Sequence, residues 1–440
     1  MNKSMKRLWY ILLLAVAPWF SLSCEKENYV GENEVKLEFS VDTVAFDTLF
    51  TTIGSTTRQV KVYNRSNRDV VIGSITLADG RQSPFRLNVD GDTSMVARNV
   101  EIMAGDSIFI FIQANLRYDT IHTLPFIVSD AIMFSNGQRL PVSAWGRNAV
   151  YHIPTDTLHF TDGSIMPYSV VDCAGWRNDL PHVIIGCAVV DSLSTLNLTS
   201  GDELYFCNDA ALWVWNGATL SVHGSAEQPV LFTSLRHDGW YSFLPGQWSC
   251  VLFYDGSTGN VIDHAVVENG TGGLRAMYGA EVTVSNTVVR NMSDCGLIGQ
   301  GATLTGSNLL VYDCLTSFLV MDGGNYSFTG CTFADYWRYS TRSLQSVVLT
   351  NYILNSDGSV ASTGDLVAAN FTDCIIYGNY GEGEYLVAGV EGVLLNDSVV
   401  NCLIKGGAWD EDPQFVDVEN DDYHLSDGSP AAGIGYQYDN

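Results

Sequence analysis

The sequence has 440 residues, of which 46% are hydrophobic and 11% aromatic, so it can bury more than one core. Its 22 basic and 49 acidic residues give a formal net charge of −27, which disfavours nucleic acid and anionic lipid headgroups as partners. After residue 24 no stretch is apolar and long enough to read as a transmembrane helix, so we expect the remainder to be soluble.

The first 24 residues have the pattern of a targeting signal. A basic start is followed by an apolar run from Leu8 to Phe20 that is too short to span a membrane. Ser21-Leu-Ser-Cys24 comes next and resembles a bacterial lipobox, which implies lipidation at Cys24. The alternative is an ordinary secretory signal in which Cys24 has no role.

Acidic residues follow the cysteine directly. Cys24-Glu-Lys-Glu27 is similar to the start of Bacteroidetes-type lipoproteins that reach the outer face of the outer membrane. The resemblance implies a cell-surface protein held by its lipid alone, with residues 25–34 as a tether. The sequence does not decide which membrane face it occupies.

Short apolar runs alternate with turn sequences between residues 35 and 147. Gln59-Val-Lys-Val-Tyr63 and Ile108-Phe-Ile-Phe-Ile112 are typical of strands, while Asp90-Gly91 and Asn136-Gly137 are typical of turns. About seven such strands predict an antiparallel β-sandwich. The stretch from Val62 to Ile72 resembles immunoglobulin-like domains, which implies a spacer near the anchor.

The segment 148–182 is predicted to connect the two domains and to cap the second. Its prolines, Pro154 and Pro181 among them, favour turns. A cap is needed because the open end of a stacked domain exposes unpaired backbone groups.

A step of 22 residues organises the chain beyond this point. Val261–Asn269, Thr283–Asn291 and Thr305–Asp313 repeat one another, and Ser327–Asp335 keeps the phase. The repeat predicts three columns, which are His264, Asn286, Asn308 and Gly330; Val266, Val288, Leu310 and Thr332; and Asn269, Asn291, Asp313 and Asp335. A short period with strand-like content indicates a solenoid. Asn and Asp at one phase suit tight left-handed corners, where their side chains can also bond along the stack.

These repeats resemble those of the pectin-lyase-like superfamily, whose fold is a right-handed parallel β-helix. The predicted fold class is therefore all-β, with an N-terminal immunoglobulin-like β-sandwich followed by a right-handed, single-stranded parallel β-helix over residues 183–409. The order of units resembles that of Bacteroidetes-type β-helix repeat lipoproteins, a resemblance that is specific for architecture and nearly silent on activity.

Three cysteines, Cys331, Cys374 and Cys402, share one repeat phase. They are expected to be small core residues, with a disulfide between neighbouring coils as the alternative outside the cytoplasm. No spacing of cysteines or histidines suggests a transition-metal site, and no cofactor is expected. Residues 410–440 resemble a closing motif and are interpreted as a C-terminal cap, whose acidic cluster could bind calcium.

The sequence offers no catalytic constellation that stands apart from structural roles. Lyases of this fold use Lys or Arg as the base, for which Lys405, Arg275 and Arg290 are candidates. Hydrolases of this fold use grouped carboxylates. Glu382 and Glu384 are the best placed, yet their glycine-rich surroundings indicate a solvated loop. We therefore predict no catalytic residues.

Two aromatic segments interrupt the regular coils and predict a glycan-binding surface. The predicted contact residues are Trp240, Tyr241, Trp248, Tyr336, Trp337 and Tyr339, because aromatic rings stack on sugar faces. The alternative is that these rings pack on the solenoid and cover its core. The predicted function is binding of a glycan or another surface macromolecule; a polysaccharide lyase or glycoside hydrolase and a structural or adhesive surface protein remain alternatives.

Overall fold

The computed structural model describes residues 29–118, 125–160, 162–236 and 239–438, and its regular structure is almost entirely β-strand. The chain divides into two compact units, Met1–Asn148 and Ala149–Asn440. Cys24 lies outside the described residues, so lipidation stays a prediction. Among the described residues, no helix is long and apolar enough to cross a membrane.

The described part of the N-terminal unit consists of short strands and two 3₁₀ turns, Glu32–Glu34 and Gly80–Gln82. The strands are β1 (Tyr29–Val30), β2 (Glu38–Phe39), β3 (Val44–Phe50), β4 (Arg58–Tyr63), β5 (Asp69–Leu77), β6 (Phe85–Val89), β7 (Val96–Ile102), β8 (Ser107–Ala114), β9 (Phe126–Phe134) and β10 (Arg139–Arg147). One sheet has the order β1-β5-β9-β10-β3 with β7 paired to β5, and the other has the order β2-β4-β8-β6. Buried residues from both sheets, such as Val62 and Ile132, form one core.

Residues 29–34, expected to belong to a tether, instead join this unit. Tyr29 and Val30 pair in parallel with Asp69 and Val70 of β5. The Glu32 carboxylate accepts the Gly73 N–H at 2.8 Å. The strand β5 has a free edge there, and pairing that edge satisfies backbone groups that would otherwise stay open.

The described part of the second unit contains the remaining strands and two 3₁₀ turns, Gly239–Phe243 and Val418–Asn420. The strands are β11 (Val150–His152), β12 (Asp156–His159), β13 (Ile165–Val170), β14 (His182–Ile184), β15 (Cys187–Val190), β16 (Thr195–Thr199), β17 (Glu203–Phe206), β18 (Ala211–Val214), β19 (Thr219–His223), β20 (Val230–Ser234), β21 (Val251–Phe253), β22 (Asn260–Asp263), β23 (Ala265–Glu268), β24 (Leu274–Ala276), β25 (Glu281–Arg290), β26 (Cys295–Tyr312), β27 (Thr316–Thr329), β28 (Thr332–Asp335), β29 (Val347–Thr350), β30 (Tyr352–Leu354), β31 (Val360–Thr363), β32 (Leu366–Thr372), β33 (Ile375–Gly378), β34 (Tyr385–Ala388), β35 (Leu395–Val400), β36 (Leu403–Ile404), β37 (Phe415–Asp417) and β38 (Asp422–Leu425).

From β14 to β22, each strand of this unit pairs in parallel with the third strand further along the chain. Thus β14 pairs with β17, β17 with β20 and β20 with β23. The chain therefore completes one coil for every three strands, which is the arrangement of a parallel β-helix. Pairing of this kind begins with β11 and ends with β36, so the segment 148–182 already supplies strands to the first coil.

The 22-residue repeat sets the register of these strands. Val261 pairs with Thr283, Thr283 with Thr305, and Thr305 with Ser327. The predicted apolar column is likewise continuous, because Val266, Val288, Leu310 and Thr332 follow one another across neighbouring strands. The predicted apolar column is therefore confirmed.

Two columns form corners with positive φ. The first corner contains His264, Asn286, Asn308 and Gly330, with φ between 47° and 61°. The second corner contains Asn269, Asn291 and Asp313, with φ between 50° and 66°. In both, side chains bond along the stack: Asn308 Nδ2 donates to Asn286 Oδ1 at 2.9 Å, and Asn291 Nδ2 donates to Asn269 Oδ1 at 2.6 Å. Left-handed geometry is thus confirmed at these positions.

Asp335 departs from the second corner. It ends β28 with an ordinary φ, and its side chain is fully buried. The chain does not turn here, because it leaves the coil as a loop over residues 336–346 before β29 begins.

The column of Cys331, Cys374 and Cys402 lies in the core, with exposures of 0%, 0% and 6%. Each thiol follows a corner residue of positive φ and donates to the carbonyl two residues earlier, at 3.2 to 3.4 Å. The prediction that these cysteines are core residues is confirmed. All nine described cysteines are free thiols.

The C-terminal segment, interpreted from sequence as a cap, lies along the outside of the coils. The N–H of Gly435 donates to Asp373 O at 2.8 Å, and the N–H of Gln437 donates to Asn308 Oδ1 at 2.7 Å. The segment therefore runs back from later coils to earlier ones. Its apolar residues Ala431 and Ile434 cover the outward-facing Ile375 and Leu403.

Candidate functional site

Two loops leave the β-helix at the same corner. The first, whose described residues are 235–236 and 239–249, follows Ser234, which lies in register with Asn269 because Phe232 pairs with Val267. The second is the 336–346 loop, which follows Asp335. Between them lie only the short turns at Asn269, Asn291 and Asp313, so four strand spacings, or about 19 Å, separate the two exits.

The loops fold towards each other across these short turns. The Tyr339 hydroxyl of the second loop donates to the Phe243 carbonyl of the first at 2.5 Å. Asn269 Nδ2 donates to Ser242 O at 3.2 Å, and Asn291 Nδ2 donates to Phe243 O at 2.8 Å. The asparagines of the second corner therefore hold the first loop in place.

The space left between the loops and the C-terminal segment is a cleft of about 470 Å³, called the corner cleft below. Its lining residues come from three corner turns, both loops and the C-terminal segment; they are Ser242, Phe243, Glu268, Asn269, Arg290, Asn291, Tyr312, Asp313, Arg338, Tyr339, Glu419, Asn420 and Asp421.

Alternating charges form the floor of the corner cleft. Arg290 Nη2 lies 2.6 Å from Glu268 Oε2, and Arg338 Nη2 lies 2.7 Å from Asp313 Oδ2. Asp421 lies between the two arginines, at 3.8 Å from Arg290 Nη1 and 3.4 Å from Arg338 Nη2. The side chains of Glu268 and Asp313 are only 11% and 8% exposed, whereas those of both arginines and Asp421 are 36 to 44% exposed.

The two buried carboxylates are fully engaged. Glu268 accepts the Thr233 hydroxyl at 2.8 Å on Oε1 and Arg290 on Oε2. Asp313 accepts the Tyr423 hydroxyl at 3.1 Å on Oδ1 and Arg338 on Oδ2. Burial raises the pKa of Asp313, against the opposing effect of Arg338. Each of the four carboxylate oxygens thus accepts a hydrogen bond from a neighbouring side chain.

Of the six aromatic residues predicted to bind glycan, the structure places Tyr339 in the lining of the corner cleft, with 39% exposure. Trp240 is 71% exposed and belongs to the same 3₁₀ turn as the lining residue Phe243. Tyr241 is half-buried beneath the Arg236 guanidinium, which lies 3.2 Å from its ring centroid.

Three of the predicted contact residues serve the fold instead. Trp248 is 1% exposed and stacks on Phe206 with ring centroids 4.2 Å apart. Trp337 is 6% exposed, and Tyr336 packs against Phe415 and Tyr423 of the C-terminal segment. A ring with both faces covered cannot stack on a sugar, so the prediction is wrong for Trp248 and Trp337 and gains no support for Tyr336.

Sequence reasoning missed Phe243, which is 67% exposed, and the charged residues of the floor other than Arg290. A signal for them was present. Ser234 precedes Asn269 by 35 residues, which is one repeat of 22 plus an insertion of 13. The insertion marks the same corner as the loop after Asp335.

Two of the sequence candidates for catalysis, Lys405 and Glu384, have structural roles. Lys405 Nζ donates to the carbonyls of Gly378 and Tyr380, both at 2.8 Å. Glu384, expected in a solvated loop, is fully buried against Arg342. Arg275 lies on another face, away from the corner cleft. Within the described ranges, no group of three or more His, Cys, Asp or Glu residues could hold a metal ion.

No protein-family model matches the chain, and comparison with curated proteins found no match. Among solved structures, the chain is similar to the alkylpurine DNA glycosylase AlkC of Pseudomonas fluorescens, at 12% identity and a TM-score of 0.18. That likeness covers 26% of this chain and 31% of the glycosylase.

Two further solved structures are similar over most of this chain. One is the catalytic unit of a GH87 α-1,3-glucanase from Streptomyces thermodiastaticus, at 10% identity and a TM-score of 0.24, covering 80% of this chain and 89% of that one. The other is Dex49A from Penicillium minioluteum, at 9% identity and a TM-score of 0.20, covering 80% and 76%. TM-scores of this size carry no argument about activity, and the β-helix assignment stands on the strand pairing alone.

Proposed function

We propose that the corner cleft binds a neutral glycan. The observation that carries the proposal is the meeting of two inserted loops over one corner of the β-helix. They place the exposed rings of Phe243 and Tyr339, with Trp240 beside them, above a floor of planar polar groups. Aromatic faces stack on sugar rings, and guanidinium and carboxylate groups bond the hydroxyls in pairs.

The charge of the cleft favours an uncharged ligand. The floor holds two arginines and three carboxylates, and each arginine is paired with acidic partners. The second unit, residues 149–440, carries seven basic and 34 acidic residues. This excess of negative charge repels a polyanionic chain. A cation such as calcium would be needed to bridge an acidic glycan, and we assign no cofactor.

Binding without cleavage fits the floor better than hydrolysis does. A glycoside hydrolase needs one carboxyl group to protonate the leaving oxygen and another to attack or activate water. Glu268 and Asp313 are the buried carboxylates of the cleft, and all four of their oxygens accept bonds from neighbouring side chains. A hydrolase or lyase is therefore the alternative, to be decided by product release.

The setting of this site completes the proposal. We place the protein at the cell surface, anchored in the outer membrane by a lipid on Cys24, with the N-terminal sandwich as an immunoglobulin-like spacer and a right-handed β-helix as the binding domain. The proposed partners are a polysaccharide and, through the lipid alone, the membrane. The acidic charge of the chain disfavours nucleic acid as a partner.

The test is a screen of the chain from Glu25 onward against neutral and acidic polysaccharides, following binding and released sugar ends together. The variants Phe243→Ala and Tyr339→Ala should each weaken binding about tenfold or more. Trp145→Ala is the matched control, since Trp145 is 49% exposed on the other unit. Unchanged affinity in both cleft variants would contradict the proposal; product release would favour an enzyme, and silence throughout a structural or adhesive role.

A further inference from the structure

A buried ionic cluster lies directly beneath the point where the 336–346 loop leaves the β-helix. Its members are Asp335, Arg342 and Glu384, with exposures of 0%, 6% and 0%. None of them lines the corner cleft. They come from the last residue of β28, from the loop itself and from the residue that precedes β34.

Arg342 joins the two ends of this cluster. Its Nη1 and Nη2 lie 2.8 and 2.9 Å from Oε1 and Oε2 of Glu384, which is a bidentate pair. The same Nη1 donates to the Asp335 carbonyl at 3.0 Å, and Nη2 lies 3.6 Å from Asp335 Oδ2. Arg342 therefore links the loop both to Asp335, where the loop begins, and to Glu384, which precedes β34.

Asn379 extends the cluster to the ring-bearing part of the loop. Its Nδ2 donates to the Trp337 carbonyl at 3.0 Å, and its Oδ1 accepts from Arg342 Nη1 at 3.4 Å. The next two residues, Arg338 and Tyr339, are the ones that the loop contributes to the corner cleft.

We infer that Arg342, Glu384 and Asn379 are positioning residues that set the affinity of the corner cleft by fixing where the 336–346 loop presents Arg338 and Tyr339. The inference rests on the proposed function. A buried ion pair often adds little net stability compared with apolar residues, and in some proteins it specifies one arrangement of the groups around it. Here the arrangement that it specifies is the path of an exposed loop.

The experiment compares Glu384→Gln and Asn379→Ala with Asn351→Ala. Asn351 is a fully buried asparagine whose side chain accepts the Val390 N–H and donates to Val393 O, away from the cleft loops. Asn379→Ala removes an exposed side chain, so it keeps the test valid if Glu384→Gln folds poorly.

The first measurement needs no ligand. Hydrogen exchange followed by mass spectrometry should show faster exchange across residues 336–341 in both cluster variants, by about tenfold or more, and no change there in Asn351→Ala. Unchanged exchange in both cluster variants would overturn the inference, whatever the protein binds.

The second measurement is affinity for a polysaccharide that the screen identifies. Both cluster variants should bind about tenfold more weakly, with Asn351→Ala unchanged even if it unfolds at a lower temperature. If Tyr339→Ala loses binding and the cluster variants do not, the positioning inference fails while the proposed function stands. If no polysaccharide binds the wild-type protein, the proposed function fails, and the affinity-setting role fails with it even where the exchange result holds.

Discussion

The two asparagine-rich corners of the β-helix have the same backbone geometry and differ in what covers them. At the first corner, Asn308 exchanges hydrogen bonds with Gln437 of the C-terminal segment, so this segment covers the ladder. At the second, Asn269 and Asn291 hold an inserted loop, and the space beside them remains open as the corner cleft.

The difference shows that a repeated structural device becomes a candidate site through what is inserted beside it. Both ladders satisfy left-handed corners that most side chains adopt only with strain. Only the second is flanked by loops that carry exposed aromatic rings. Because one ladder can be altered without the other, the effect of a corner on stability can be measured separately from its effect on binding.

The largest expected effect concerns Asp335, the residue that departs from the second corner. Burial raises the pKa of its carboxyl group to about 7, although Arg342 opposes the shift. Because this value lies above the ordinary 3.8, the contribution of Asp335 to stability is full below about pH 3.8 and is lost as pH rises through about 7. The loss is on the order of 4 kcal/mol.

Asp335→Asn should remove this dependence. Denaturant unfolding between pH 4 and 8 should show the difference in unfolding free energy between variant and wild type shifting in favour of the variant as pH rises. His152 and His182, whose pKa values burial lowers to about 4, act in the opposite direction in both proteins and cancel in the difference. A difference that is flat with pH would show that Asp335 does not titrate in this range.

The second prediction compares matched positions in the two ladders. Asn286→Ala and Asn291→Ala each place alanine at positive φ, so each should lower the unfolding free energy by about 1–2 kcal/mol. Only Asn291→Ala should also weaken glycan binding, by about tenfold, because it releases the Phe243 carbonyl. Calorimetric unfolding and affinity measured on both variants check this, and equal affinity losses would erase the functional distinction between the corners.

The smallest expected effect is that of a single oxygen atom. Tyr339→Phe removes the hydroxyl that donates to Phe243 O and keeps the ring. Affinity should fall about threefold to tenfold, because the two loops lose their direct link, while the unfolding free energy changes by less than about 1 kcal/mol. A quantitative binding isotherm is sufficient to see it. Wild-type affinity in this variant would show that the hydrogen bond between Tyr339 and Phe243 does not contribute to binding.

Much of the architecture could be read from the sequence, since register in a solenoid is set by a local repeat. A step of 22 residues places Thr283 beside Val261 and Asn291 beside Asn269 without any knowledge of distant contacts. The left-handed corners followed in the same way, because Asn and Asp tolerate that geometry better than other side chains.

The sequence predicted only part of the candidate site. Aromatic composition pointed to the loops after Ser234 and Asp335, yet it could not separate Tyr339, which lines the cleft, from Trp248 and Trp337, which are buried. Aromatic residues have the same composition whether they fill a core or face solvent. The tether prediction missed β1 for a similar reason, because an edge strand gains its hydrogen bonds from a partner about 40 residues away.

By itself, the sequence determined the repeat, the corner columns and the core positions of this protein, because each depends on neighbours one coil away. Only the tertiary structure decided that two loops separated by about 100 residues meet over one corner, that Asp421 lies between Arg290 and Arg338, and that Glu384 is buried. Those contacts depend on the paths of irregular segments, which no local periodicity encodes.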